Sequence, residues 1–257
     1  MNDLATQFDL LWPAFAAGLI VLATHVPLGI QVLARGIIFI DLAVAQVAGL
    51  GALLAHLADH GDSPWAVQGA AVGAALGAAL LLQWSEKRWP QLQEALIGLL
   101  FVLAASGAVL LLARDAHGGE HLRDLLVGQM LWVSHGQLLA AAAVSAGLLL
   151  AWRVFGRQGG SLTFYTLFAV AVTVSVQLVG VYLVFASLIV PALATHGLRA
   201  YRLAVALGTG AAGYAGGLAL AAWADWPAGA ASVWMLAATG LLLALIRSGV
   251  APPRSIC

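Results

Sequence analysis
The amino-acid sequence predicts an all-α fold: a polytopic transmembrane helix bundle of about 8–9 spans, with a broken helix pair at 161–196, in a single domain over 1–257. Three observations lead there. Of 257 residues, 62% are hydrophobic and 9% charged, where a soluble domain carries about 25% charged residues. Too little polar side chain is left to build a water-facing surface or a second, soluble domain. Apolar runs of spanning length recur along the whole chain, and one of them, Ser161 to His196, is too long for one crossing and barely long enough for two.

The first run is Leu10–Ala34. Its leading stretch, MNDLATQFDL, carries Asp3 and Asp9 and no Lys or Arg, the wrong flank for a cleaved signal peptide, so this run is expected to stay as a span. Gly36–Ala58, Trp65–Trp84, Glu94–Ala113 and Gly136–Trp152 follow, and after the divided segment come Leu203–Trp223 and Ala228–Ile246. Each has the length that a bilayer core requires of a helix.

The segment Gln177–Arg202, QLVGVYLVFASLIVPALATHGLRAYR, decides the count. From Gly180 to His196 a helix extends roughly 25 Å, just short of a hydrocarbon core of about 30 Å. Ser161–His196 is therefore one over-long tilted helix or two short ones hinged near Gln177–Gly180. The basic residues separate the two readings. With nine crossings and the N-terminus outside, the inner loops hold Arg35, Lys87, Arg88, Arg153, Arg157, Arg199, Arg202, Arg247 and Arg254, and the outer loops only Arg114 and Arg123. With eight crossings the last four inner residues move outside and the bias disappears. The positive-inside rule selects nine. A hinge at membrane depth needs a covering of protein or a water-filled cavity, the setting of the broken helices of transporters; a plain glycine bend is the simpler alternative. Four-residue repeats of small residues, Gly69, Gly73 and Gly77, then Gly208, Ala212 and Gly216, are expected to serve helix packing.

Several function classes drop out. Net charge is zero, which speaks against nucleic-acid binding or a basic membrane-surface patch. The only lysine, Lys87, follows Glu86, and no G-x-x-x-x-G-K-[ST] loop exists to hold ATP phosphates. The single cysteine, Cys257, is the last residue, so no disulfide forms within the chain.

Polar residues inside spans are expensive and mark function by default. They are His25, Asp41, Gln46, His56, Glu94 and Gln177, with Asp225 at an outer boundary. His25 lies mid-span before Pro27 and Gly29; it is a ligand or relay facing the bundle interior, or a neutral imidazole bonding a carbonyl near the proline kink. Asp41, one turn inside the second span, either lines a transport path or pairs with Arg35. Gln46 is able to bridge helices or coordinate weakly. Glu94, in the first turn of its span, reads as a cap, and Asp225, in DWPAG, as turn chemistry. In the outer loop Arg114–Ser134, His117, Glu120 and His121 form H-x-x-E-H, a set suited to zinc and, less tightly, to manganese or iron. Gly118-Gly119 between them argues instead for a solvated polar loop.

Five stretches together resemble the permease subunits of bacterial zinc/manganese ABC importers. They are ARGIIFIDLAVAQVAGLGA (Ala34–Ala52), QEALIG (Gln93–Gly98), DLLVGQML (Asp124–Leu131), VGVYLVFASLIVPALAT (Val179–Thr195) and DWPAGAA (Asp225–Ala231), in family order across nearly the whole chain. The resemblance implies a homodimeric or pseudo-dimeric pore in the bacterial inner (cytoplasmic) membrane. It also implies a cytoplasmic ATP-binding subunit, a periplasmic or surface metal-binding protein that delivers the ion, and no tightly bound cofactor. By the same resemblance ALATHGLRAYR, after Pro191, forms a short cytoplasmic helix that docks on the ATPase through Thr195, His196, Arg199 and Arg202.

Two departures mark a divergent member. The family's second span usually carries Gly-Asp-x-x-[Ala/Ser]-His, with Asp and His four apart and on one helix face. Aligned on Phe39, the Asp position is Leu42 and the His position is Gln46, while Asp41 points about 100° away. The link GRQGGS (Gly156–Ser161) is also shorter than in relatives. The reading is a permease importing zinc or manganese, with iron a further candidate, by alternating access, with His25, Asp41 and Gln46 near the path. A self-powered carrier or channel using His25 and Asp41 as a proton relay is the alternative. An intramembrane enzyme ranks last, for want of a Ser/His or paired-carboxylate set at membrane depth.

Overall fold
The computed structural model describes residues 2–60, 63–112, 126, 128, 130–155 and 160–250, and their side chains except at 2–10, 59–60 and 248–250. Its described residues form nine α-helices and no strand. In order they are α1 (Asn2–Arg35), α2 (Ile40–Ala55), α3 (Pro64–Arg88), α4 (Gln93–Leu112), α5 (His135–Phe155), α6 (Gly160–Val179), α7 (Val181–Ala194), α8 (Arg202–Ala224) and α9 (Ala228–Val250). Eight are long and apolar enough to cross a membrane, and α7 is the short one.

Local signals set several boundaries. Ser63 accepts a hydrogen bond from the Ala66 N–H at the start of α3, with Pro64 at the first helical position, as helix starts favour. Asp225 closes α8 in a left-handed conformation, φ 54°, matching the turn role expected of DWPAG. The break between α6 and α7 is one residue, Gly180, at φ 82° and ψ 162°, a region closed to side chains with a Cβ. Hydrogen bonds continue on both sides, from Gly180 N to Val176 O at 2.8 Å and from Val184 N to Gly180 O at 3.1 Å. The broken pair is there, and glycine makes it.

Two hairpins, α2–α3 and α8–α9, flank a centre of α1, α6 and α7. α6 is 61% buried within its span and α5 only 11%, so α6 is a core helix and α5 faces outward. Closeness depends on glycine: a Cβ on Gly29 of α1 would lie 1.9 Å from the Leu188 carbonyl oxygen of α7. Between α8 and its neighbours the close contacts fall at Gly210, Gly213 and Gly217, against Leu22, Leu236 and Ser232. The repeats expected to pack do so only in part: Gly69, Gly73, Gly77 and Gly208 have no neighbour within 4 Å, and Gly216 meets Met235. Spacing marks a helix face, and the tertiary fold decides whether that face meets protein.

Polar contacts bring several helix ends together. The C-terminal ends of α1 and α3 meet where Arg35 pairs with Glu86 at 3.4 Å, and Ser161, at the start of α6, donates to the same Glu86. The C-terminal end of α9 meets that of α7, where Arg247 donates to the Ala194 carbonyl.

Candidate functional site: buried polar groups and a basic end
His25 is fully buried in α1. Its Nδ1 lies 3.0 Å from the Val21 carbonyl oxygen and 3.0 Å from Thr24 Oγ1, and its Nε2 has no partner. The carbonyl fixes the tautomer of a neutral ring: Nδ1–H donates, and Nε2 presents a free lone pair. The expected carbonyl bond is made through Nδ1, and Nε2 is buried without a partner.

Asp41, in the first turn of α2, is also fully buried, and neither carboxylate oxygen has a hydrogen-bond partner. The expected pairing with Arg35 does not form. Arg35 instead pairs with Glu86 and lies over the Phe164 ring, 4.3 Å from its centroid, on the far side of the sharp turn that separates α1 from α2. Gln46 is buried further along α2. The described residues contain no cluster of three His, Cys, Asp or Glu side chains able to hold a metal. His25, Asp41 and Gln46 are buried polar groups on α1 and α2, and neither His25 Nε2 nor the Asp41 carboxylate has a hydrogen-bond partner. Gln177 is exposed, and His117, Glu120 and His121 lie outside the described residues.

Glu94 caps a helix other than its own: its Oε1 accepts the Phe39 N–H at 3.3 Å, just ahead of α2. Beside it runs a polar network that sequence reading missed. Ser85 Oγ donates to Gln93 Oε1 at 2.8 Å, and Gln93 Nε2 donates to the Leu82 carbonyl at 2.9 Å and to Tyr165 Oη at 3.1 Å. With Arg35, Glu86 and Ser161 it ties α1, α3, α4 and α6 together at the basic end. Gln93 is the first residue of QEALIG, and nothing in its spacing announces a partner 72 residues away.

The segment after Pro191 differs from expectation. It forms no separate helix: α7 runs through Pro191 to Ala194, Thr195–Gly197 is a turn, and α8 begins at Arg202 after Tyr201 at φ 56°. Proline gives up one intrahelical bond, and the last turn survives because its carbonyls find other donors. Thr195 is fully buried and donates to the Pro191 carbonyl at 2.7 Å. Arg202 turns inward, its Nη2 3.2 Å from the Ala192 carbonyl. His196, Arg199 and Tyr201 are exposed, Tyr201 at 83%. Four residues expected together at a partner contact are therefore divided, two outward and two inward.

At the other end of the bundle, Gly128, φ 73°, packs on the α6–α7 break so closely that a Cβ would lie 2.4 Å from Val179 C and 2.5 Å from Gly180 N. The irregular backbone at Gly180 is covered by protein, as backbone at membrane depth must be.

A family model described as the ABC 3 transport family matches residues 7–248. The chain belongs to that family. ABC 3 membership and eight apolar spans make it a multi-pass inner-membrane transport subunit of the ABC type. The fold is similar to PsaBC from Streptococcus pneumoniae, solved in complex with Fab, at 18% identity and TM-score 0.75, over 93% of this chain and 95% of that one. It is also similar, at 14% identity and TM-score 0.55, to an ABC transporter assigned to the metal-chelate type in an inward-facing conformation, over 93% and 82% of the two chains. No curated protein matches the chain.

Proposed function
We propose that this ABC 3 family member is the permease subunit of an importer for a divalent metal cation, zinc or manganese first and iron as a further candidate. The family match over 7–248 carries the reading. The two similar folds support it, since one is that of a metal-chelate type ABC transporter. Two copies form the pore, a cytoplasmic ATP-binding subunit supplies the energy, and a periplasmic or surface metal-binding protein delivers the ion. ATP-driven closure of the partner pushes on the Thr195–Arg202 segment through its exposed His196, Arg199 and Tyr201, and the central helices tilt from outward-open to inward-open.

The chemistry of the path supports a cation as cargo. A carboxylate buried without a counter-ion costs several kcal/mol unless a proton or a cation joins it, and Asp41 is so placed. The free Nε2 lone pair of His25 is a borderline ligand that suits zinc and tolerates manganese or iron. Gln46 adds a weak oxygen donor. The outer His117, Glu120 and His121 would collect the ion before entry. As a self-powered relay the geometry is poor, because no hydrogen bond leads from His25 Nε2 or from Asp41 to another group.

The test is to co-express the tagged chain with its genomic neighbours and purify it. An ATP-binding subunit is expected to follow wild type and to be lost from Arg199→Glu; vesicles of the complex are expected to take up zinc or manganese on addition of ATP. Purification that never brings an ATPase subunit, or ATP-driven uptake of neither ion, would sink the reading.

A further inference from the structure
A helix end leaves its last four carbonyls without helical partners, and the negative end of its dipole draws cations there. At the end of α7 every carbonyl from Pro191 to His196 is nevertheless paired. Pro191 O accepts from Thr195 N at 3.2 Å, Leu193 O from His196 N at 2.9 Å and Thr195 O from Leu198 N at 3.1 Å. Ala192 O accepts from Arg202, the first residue of α8. The other two carbonyls are held by one side chain: Arg247 Nη1 donates to Ala194 O at 2.6 Å and Nη2 to His196 O at 3.1 Å. Arg247 belongs to α9, 53 and 51 residues further along the chain.

The grip is specific to a guanidinium. Its planar fork spans two carbonyls at once, where a lysine ammonium is a single point donor. The helices behind it are in close contact, since a Cβ on Gly240 of α9 would lie 2.5 Å from Val190 Cγ1 of α7. The turn is thus joined to α7 by the chain, to α8 by the chain and Arg202, and to α9 by Arg247.

We infer that Arg247 is a positioning residue that fastens the Thr195–Tyr201 turn to α9, so that a push on the turn from the cytoplasmic side moves α9 together with α7. This rests on the reading of the turn as the ATPase contact. Arg247 itself points into the turn, and the exposed face remains that of His196, Arg199 and Tyr201. Losing Arg247 should therefore separate hydrolysis from transport rather than detach the partner.

The test uses the full complex with its ATP-binding subunit, reconstituted in vesicles, and compares wild type, Arg247→Met and Arg247→Lys. Three quantities are read: subunit retained, ATP hydrolysed, and zinc or manganese taken up per ATP. Arg247→Met is expected to keep the subunit and to hydrolyse ATP within about twofold of wild type, while uptake per ATP falls about tenfold or more, the scale of one or two charge-assisted hydrogen bonds. Arg247→Lys is expected about threefold below wild type, because it reaches one carbonyl of the two. Wild-type uptake per ATP in Arg247→Met overturns the inference, and so does loss of the subunit from both variants. Should Arg247→Met fail to insert, the lysine variant decides, and wild-type uptake per ATP in it overturns the fork. A wild-type chain that retains no ATP-binding subunit overturns the proposed function, and this inference with it; that failure is told apart because it shows before any variant is compared.

Discussion

Asp41 sets two opposing effects against each other within one side chain. The α2 dipole favours a negative charge in its first turn by about 1 kcal/mol at most, whereas burial without a partner costs several. Desolvation wins, so the residue is held against stability. Asp41→Asn is accordingly expected to melt at or above the wild-type temperature in detergent while abolishing metal uptake; a large drop in melting temperature would give Asp41 a structural role instead. Sequence reading found this residue by its charge inside a span. It missed that Arg35 would leave Asp41 alone, because Glu86, 51 residues from Arg35, is brought to it only by the packing of α3 and α1 on α6. Gly29 is a second case: its missing side chain lets α1 touch the Leu188 carbonyl. Gly29→Ala should destabilise by about 1–3 kcal/mol or more, as overpacking does, while Gly69→Ala, with no neighbour within 4 Å, leaves the melting temperature nearly unchanged. Thermal unfolding of the purified variants compares them directly.

At the scale of elements, the junction of α6 and α7 governs the centre of the bundle. Leu188 lies against Gly29, so α7, running alongside α1, starts near the level of Leu22, about 20 Å of helix from Arg35 at 1.5 Å per residue. That falls short of a hydrocarbon core of about 30 Å, and Gly128 packs against the break at its start. Two glycines with positive φ meet there for different reasons. Gly180 needs its conformation, and alanine at that φ costs about 1–3 kcal/mol. Gly128 needs the space as well, since a Cβ would strike backbone atoms that have nowhere to move. Gly128→Ala should therefore reduce the yield of folded, monodisperse protein more than Gly180→Ala, as read by size-exclusion chromatography; the reverse order would mean that the cover is not needed. Gly180 was legible from the shortness of its flanking runs. Gly128 was not, because its partners, Val179 and Gly180, are 51 and 52 residues distant in sequence, with α5 and α6 between.

For the whole molecule, the distribution of Lys and Arg favours nine crossings, which would put the N-terminus outside and the Thr195–Tyr201 turn inside. In a Cys257→Ser background, Ser134→Cys should react with a membrane-impermeant thiol reagent in intact cells, and Tyr201→Cys only after permeabilisation. Labelling of both from outside would restore the eight-span count.

What the amino-acid sequence determined by itself was everything that depends on transfer to lipid and on local backbone limits. The number of spans follows from runs of apolar residues, their direction from the basic loops, the break from a glycine between two short runs, and the family from stretches whose order survives divergence. Only the tertiary structure decided which polar groups find partners. Hydrogen bonds and ion pairs act over about 3–4 Å, and the helices that come within that distance are separated by tens of residues of chain. Arg35 was thereby given to Glu86, Arg202 and Arg247 to the end of α7, and Gln93 to Tyr165, leaving Asp41 and one nitrogen of His25 buried and free.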